Sequence, residues 1–284
     1  MNQQPDSELA VKTYRYLRIS MVGIVLLLGV SVILERAKVA CWQTSISAYY
    51  YTPVRAIFVA GLFAIGVGLI VIKGSTRWED VFLNFAGMLA PVVAVVPTSD
   101  AGDCWSLSPS PLPKGSDGKL ADWVLANINN NVRSLLFAGF VGLIVAGLIA
   151  SIAKRDPLAV AKVGAVDMRM GLVAAFVLLL AGLALHTWWD AFPTRAHGFA
   201  AVLMFVFLAL ATASNAKEHK GVGGNRKFFR IYGLIAVLMA AAGVLGLVFL
   251  RGWSHMVLFL EIVEILLFAA FWLTQTNEHW YETA

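Results

Sequence analysis

The sequence predicts an all-α fold, a polytopic membrane bundle of about eight transmembrane helices, from two properties of the chain. First, 59% of the residues are hydrophobic and only 14% are charged, whereas about a quarter of the residues of a soluble domain are charged. Second, apolar segments long enough to cross a hydrocarbon layer of ~30 Å recur from one end of the chain to the other. We therefore expect residues 1–284 to form a single transmembrane domain in contact with the lipid bilayer.

Eight segments have the length and composition of a membrane span. They cover residues 17–34, 54–72, 81–97, 134–153, 170–188, 198–213, 231–250 and 255–274. The second is the clearest, because Tyr49, Tyr50 and Tyr51 suit the headgroup layer and Pro53 suits the first turn of the helix that follows.

The basic residues indicate how the spans are oriented. With an even number of spans both termini lie on one side, and a cytoplasmic N-terminus places 14 Lys and Arg inside against 8 outside. We therefore expect a multi-pass protein of the cell membrane with both termini in the cytoplasm. The same clusters account for the formal charge of +5, so no nucleic-acid partner is expected. The first residues lack a short apolar core followed by a small-residue cleavage site, so we expect them to be retained.

The longest predicted loop is extracytoplasmic. Residues 99–133 are rich in Ser, Pro, Gly and Asn, and they include Trp105 and a short amphipathic stretch at 120–128. The loop forms either a cap on the outer surface or a flexible linker. Cys41 and Cys104 both fall on this oxidising side, so we expect a disulfide that tethers the loop.

Two acidic residues fall inside the last predicted span. With a rise of ~1.5 Å per residue from position 255, Glu261 lies about 9 Å deep and Glu264 close to the midplane, on one helix face. Carboxyl groups at that depth face a bundle interior or a wet cavity, because a charge in hydrocarbon costs at least a few kcal/mol. Asn84 and Arg55 are candidate partners. The pair forms either a proton or cation site or a neutral, hydrogen-bonded link between helices.

Three histidines and an aspartate lie at the outer ends of predicted spans: His186, His197, His255 and Asp190. Such side chains can hold zinc with an open position that activates water. The alternative is that they lie in the headgroup layer beside neighbouring tryptophans. Ser45 and Ser47, beside the tyrosine run, are interpreted as capping or surface residues.

Three segments carry a resemblance to known proteins: SISAYYYT, EDVFLNFAGMLAPVVAVVPT and EIVEILLFAAFW, in the second, third and last predicted spans. They resemble a family of uncharacterised bacterial integral membrane proteins found especially in actinobacteria, which implies a location in the bacterial cytoplasmic membrane. A more distant similarity is to the membrane hydrolases that include alkaline ceramidases and adiponectin receptors, which hold zinc with histidines. This chain has Glu261 and Glu264 where those proteins have a His-x-x-x-His pair on the last helix.

Three functions are compatible with these residues. The first is a bundle that transports or binds a small solute, an ion or a lipid through the acidic residues of the last helix. The second is a zinc-dependent lipid hydrolase that uses the outer histidines. The third is a non-catalytic accessory or scaffold subunit that binds a membrane-protein partner, and the lack of a complete catalytic or nucleotide-binding motif leaves it open.

Reporter fusions test the predicted orientation. A reporter fused after Gly115 is expected to lie outside the cytoplasm and one fused after Glu282 inside it, because basic loops are retained in the cytoplasm. Activity of paired periplasmic and cytoplasmic reporters measures both positions. A cytoplasmic signal at Gly115 contradicts the eight-span topology.

Overall fold

A computed structural model gives the fold, and it describes residues 4–100, 102, 104, 113–114, 117–153, 165–220, 224–249 and 252–280. Within these residues the structure is all-α, with eight α-helices and one short 3₁₀ helix. The helices are α1 Gln4–Val39, α2 Arg55–Val71, α3 Arg77–Val95, α4 Asp122–Ala153, α5 Ala165–Trp188, α6 Phe192–Glu218, α7 Arg226–Phe249 and α8 Met256–Glu278, and the 3₁₀ helix is Ser47–Tyr51.

Seven of these eight α-helices are long enough and apolar enough to cross a membrane. The exception is α2, which is apolar but has 17 residues, a length of about 26 Å at ~1.5 Å per residue. The described part of the chain thus has the architecture of an integral membrane protein. An eighth span and the side on which the termini lie remain predictions.

The longest predicted loop is shorter than expected, because α4 begins at Asp122 and not at 134. Its first turns bury one face, formed by Val124, Ile128 and Val132 at helical spacing. The amphipathic stretch at 120–128 is therefore continuous with a membrane helix. Residues 105–112 of the loop lie outside the described residues, so the choice between a cap and a linker stays a prediction. Trp105 lies outside the described residues.

Six of the helices form a closed ring of neighbouring contacts. The order around this ring is α1, α2, α3, α6, α7 and α8, and α8 packs back against α1. The remaining two helices, α4 and α5, pack on each other as a hairpin and touch the ring through α3. No described side chain from 171 to 188 is buried, so the hairpin presents apolar surface suited to lipid.

Glycines allow close packing of α2 against α3. A methyl group added to Gly87 would lie 2.6 Å from the carbonyl oxygen of Gly66, and one added to Gly66 would lie 2.7 Å from the carbonyl oxygen of Gly87. Only glycine lets two helix backbones approach so closely. The turn that starts α3 is also well defined, because Thr76 accepts a hydrogen bond from Glu79 N at 3.1 Å and Glu79 Oε2 accepts one from Ser75 N at 2.6 Å.

A disulfide joins two connections at one end of the bundle. Cys41, just after α1, is bonded to Cys104, beyond α3, and their Cα atoms are 5.9 Å apart. The neighbouring Gln43 is fully buried and accepts a hydrogen bond from Cys104 N at 3.4 Å. The covalent bond therefore lies over a packed part of the α1–α2 connection.

Substitution of Gly87 tests the contact between α2 and α3. Gly87→Ala is expected to reduce the free energy of unfolding by about 1–3 kcal/mol, because the added methyl forces the two backbones apart. Thermal melting in detergent measures the loss. Gly233→Ala on α7, where the added methyl meets nothing within 4 Å, is the matched control and should be neutral or slightly stabilising. Equal melting temperatures for the two variants would contradict the close approach.

Candidate functional site

The connection between α1 and α2 is folded into the bundle. Tyr49, Tyr50 and Tyr51 are at most 5% exposed, so these side chains contact protein and not lipid headgroups, and their predicted depth in the membrane stays a prediction. Tyr51 donates a hydrogen bond to Thr98 O at 2.7 Å, and its ring meets that of Trp123 edge to face. The segment after α3 and the first turns of α4 thus cover the tyrosines.

Arg55 belongs to this aromatic cluster. Its Nη2 donates to the Tyr50 hydroxyl at 2.7 Å, and its guanidinium lies 4.3 Å from the centre of the Tyr50 ring. Burial raises the pKa of the Tyr50 and Tyr51 phenols above their ordinary value. Both phenols therefore remain neutral at physiological pH.

Glu261 on α8 binds the start of the 3₁₀ helix. Its Oε2 accepts a hydrogen bond from Ile46 N at 2.5 Å, and its Oε1 accepts one from the Ser47 hydroxyl at 2.8 Å. The backbone N–H of Ser47 is a third donor to Glu261, and all three donors are neutral. Ser45, in contrast, caps the same turn, because its hydroxyl accepts a bond from Ala48 N at 2.9 Å. Ser45 therefore has the capping role expected for it, whereas Ser47 is a partner of the buried acid.

A small cavity inside the ring touches this carboxylate. It has a volume of about 70 Å³ and lies between α1, α2, α3, α6 and α8. Among the described residues that line it, Glu261 and Ser47 have polar side chains and the others are apolar. At roughly 10–15 Å³ for one buried water, the volume would hold a few water molecules, but almost all of the surface that faces the cavity is apolar, so it is a largely dry space beside the carboxyl group.

The other residues predicted to meet Glu261 lie elsewhere. Glu264 is 7% exposed, and its Oε2 makes no hydrogen bond with the described residues. Asn84 faces a second, larger cavity between α3 and the α4–α5 hairpin, and Arg55 is bonded to Tyr50. The expected contact of the acids with Asn84 or Arg55 is therefore wrong, because the α1–α2 connection occupies the space beside Glu261.

The structure does not bring the outer histidines together with Asp190. His197 Nδ1 lies 2.6 Å from Val96 O at the end of α3, and His255 Nδ1 lies 3.3 Å from Gln43 O. His186 packs against the Phe192 ring, and Asp190 is exposed. In the described ranges no three His, Cys, Asp or Glu side chains are placed to hold a metal ion. A zinc site thus remains a hypothesis without a common location for its ligands.

A second polar cluster lies near the other end of the ring, and the sequence analysis missed it. Glu79, Gln275 and Asn215, from α3, α8 and α6, are at most 1% exposed. Gln275 Nε2 donates to Glu79 Oε1, and the Asn215 side chain is also hydrogen-bonded to Glu79. The Thr-x-x-Glu pattern at 76–79, which is typical of a helix start, was the available signal for Glu79.

Glu278 extends this second cluster. It accepts a hydrogen bond from the Tyr232 hydroxyl at 2.5 Å and lies 2.7 Å from His219 Nε2. Glu261 and Gln275 are separated by 14 positions on α8, or about 21 Å at ~1.5 Å per residue. The ring therefore has a polar cluster near each end, separated by the buried rings of Phe268, Phe271 and Trp272.

Comparison of the chain with protein-family models, with curated proteins and with solved structures finds no match.

A double-mutant cycle tests the bond between Ser47 and Glu261. Ser47→Ala and Glu261→Leu should each reduce the free energy of unfolding by about 1–3 kcal/mol. The double variant should lose less than the sum by about 0.5 kcal/mol or more, because both changes remove one shared bond. Denaturant titration in mixed micelles measures the three losses.

Ser20→Ala is the control for this cycle, because the Ser20 hydroxyl bonds only within its own helix, to Tyr16 O at 2.6 Å. The loss of unfolding free energy caused by Ser20→Ala should add to that caused by Glu261→Leu. Additive losses for Ser47→Ala as well would show that the contact contributes no coupling energy.

Proposed function

We propose that the protein is a transport or binding bundle of the bacterial cytoplasmic membrane and that Glu261 binds a small cation, a proton included. The proposal rests on the position of this carboxyl group beside an internal cavity of the six-helix ring. The one-sided disulfide and the distribution of basic residues support a cytoplasmic location for both termini.

The energetics of burial favour a positively charged or proton-donating ligand. An ionised carboxylate inside a membrane protein is costly unless charge or hydrogen bonds compensate for it. The donors to Glu261 are the backbone N–H groups of Ile46 and Ser47 and the Ser47 hydroxyl, all neutral. These bonds orient the carboxyl group and supply no positive charge, so a bound proton or cation lowers the remaining cost of burial.

The size of the cavity restricts the ligand. A volume of about 70 Å³ is too small for a lipid or a drug-sized solute, which needs several hundred Å³. The wall is almost wholly apolar, so it offers a metal cation few ligands besides Glu261 and Ser47. Proton binding is therefore the form of the proposal that the cavity supports best.

The second cluster supports a pathway along the ring. Glu79, Asn215 and Gln275 give polar groups at the end opposite Glu261, and aromatic side chains fill the middle. An apolar barrier between two polar sites holds such a pathway closed to ions, because a charge in hydrocarbon-like surroundings costs at least a few kcal/mol. Opening of the barrier at Phe268 and Phe271 would connect the two clusters.

The other two functions have weaker support. For the lipid hydrolase, His197 and His255 each contact a backbone carbonyl oxygen through Nδ1, but the described residues include no three His, Cys, Asp or Glu side chains placed to hold a metal ion. For the accessory subunit, the unburied face of α5 offers apolar surface to a partner helix as well as to lipid. The internal carboxyl group is not needed for either role.

Flux through reconstituted protein tests the proposal. Proteoliposomes with an imposed potential are expected to take up protons or ²²Na⁺ faster than protein-free vesicles, and Glu261→Gln should reduce the rate about tenfold or more by removing ~1.4 kcal/mol or more of binding energy. A pH-sensitive dye and tracer counting measure the two ions.

The matched control is Glu264→Gln, because Glu264 is also acidic and buried on α8 but does not line the small cavity. It should retain flux. Melting curves establish that both variants fold. Wild-type flux in a folded Glu261→Gln variant, or vesicles as tight as protein-free ones with the wild type, would exclude Glu261 as a transport site.

A further inference from the structure

A lateral groove separates the α4–α5 hairpin from the ring. It has a volume of about 1990 Å³ and lies between α2, α3, α4, α5 and α6. One end lies beside Lys73 and Arg77, at the start of α3, and the other beside Trp188 and Trp189. The groove therefore extends along most of the membrane-spanning length of α3.

The lining of the groove is apolar over most of this length. Gly87, Gly139 and Gly142 face it together with leucine, alanine and valine side chains. Apolar cavities do not retain water, and the volume is about twice the upper end of the range for drug-sized ligands. A molecule with long hydrocarbon chains fits both the apolar lining and the large volume, and the lipids of the bilayer are such molecules.

Charge distinguishes one end of the groove from the other. Lys73 and Arg77 lie at its mouth, and the Lys73 side chain is 70% exposed although it is bonded to Asp80 at 3.0 Å. The N-terminus of α3 adds no free site for an anion, because Thr76, Glu79 and Asp80 already accept hydrogen bonds from the backbone N–H groups at and just before it, so the positive charge here is that of the two basic side chains. These groups complement an anionic headgroup.

Asn84 gives an independent indication of a polar ligand group inside the groove. Its amide lines the groove and makes no hydrogen bond with any residue that the structure describes. It lies seven positions after Arg77 on α3, or about 10 Å deeper. An amide at that depth can donate to the ester oxygens of a lipid whose phosphate lies beside Arg77.

We propose that this groove binds an anionic phospholipid, with its phosphate at Lys73 and Arg77, its ester oxygens at Asn84 and its acyl chains between α3 and the hairpin. The site is separate from the cation site, because Glu261 does not line the groove. Its test is therefore independent of the proposed transport function.

Two glycines of α4 provide a matched pair of variants. A side chain at Gly142 would enter the groove, and one at Gly147 would lie outside it; in both places an added Cβ meets nothing within 4 Å. Gly142→Phe should therefore displace the lipid without a clash, whereas Gly147→Phe should leave it bound.

Native mass spectrometry measures the bound lipid. The full chain is purified in a mild detergent and mixed with phosphatidylglycerol or phosphatidylcholine. The wild type and Gly147→Phe should retain phosphatidylglycerol in preference to phosphatidylcholine, and Gly142→Phe should retain about tenfold less. Arg77→Gln should still bind lipid but lose the preference for the anionic headgroup. Glu261→Gln should bind as the wild type does.

Four outcomes would overturn the proposal: equal retention of the two lipids by the wild type, equal retention by the two glycine variants, an unchanged headgroup preference in Arg77→Gln, or a lipid-free dimer in which a second copy of the chain fills the groove. If Gly142→Phe does not fold, Asn84→Leu replaces it, and it should reduce retention of phosphatidylglycerol while the melting temperature in lipid-free detergent stays unchanged.

Discussion

The closed ring depends on the bonds between the first turns of α8 and the α1–α2 connection. Leu258 N donates to Thr44 O at 2.9 Å, and Glu261 accepts from Ile46 N and Ser47. Within a membrane, irregular backbone is tolerated only where protein groups satisfy its hydrogen bonds, since an unpaired group costs several kcal/mol. The same carboxyl group thus satisfies the backbone of the connection and lies beside the small cavity of the ring.

The membrane character and the helices could be predicted because hydropathy and length are local properties of the sequence. The side-chain contacts of individual residues could not be predicted, because they depend on which distant segments of the chain meet in the fold. Tyr49–Tyr51 illustrate this point: an aromatic ring with a hydroxyl suits the headgroup layer and a covered polar core equally well, and only the approach of Thr98 and Trp123 decides between them.

The partners of the acidic residues could not be predicted for the same reason. The depth of Glu261 could be estimated from its place in α8, but its partners Ile46 and Ser47 lie in a connection with no regular period. Glu79 and Gln275 fall at or just beyond the ends of the predicted spans, where hydropathy declines although the helices continue. Hydropathy therefore indicates where a helix is apolar, and it does not indicate where a polar helix end is buried.

The separation of 215 positions between Ile46 and Glu261 has a consequence for biosynthesis. At ~5–20 residues per second, the ribosome completes α8 roughly 10–40 s after the connection it binds. During that interval the connection relies on contacts made by early parts of the chain, among them Tyr51 with Thr98, Arg55 with Tyr50, and Cys41 with Cys104. These contacts need no residue of α8, whereas the hydrogen bonds of Ile46 and Ser47 to Glu261 require α8 to have been synthesised.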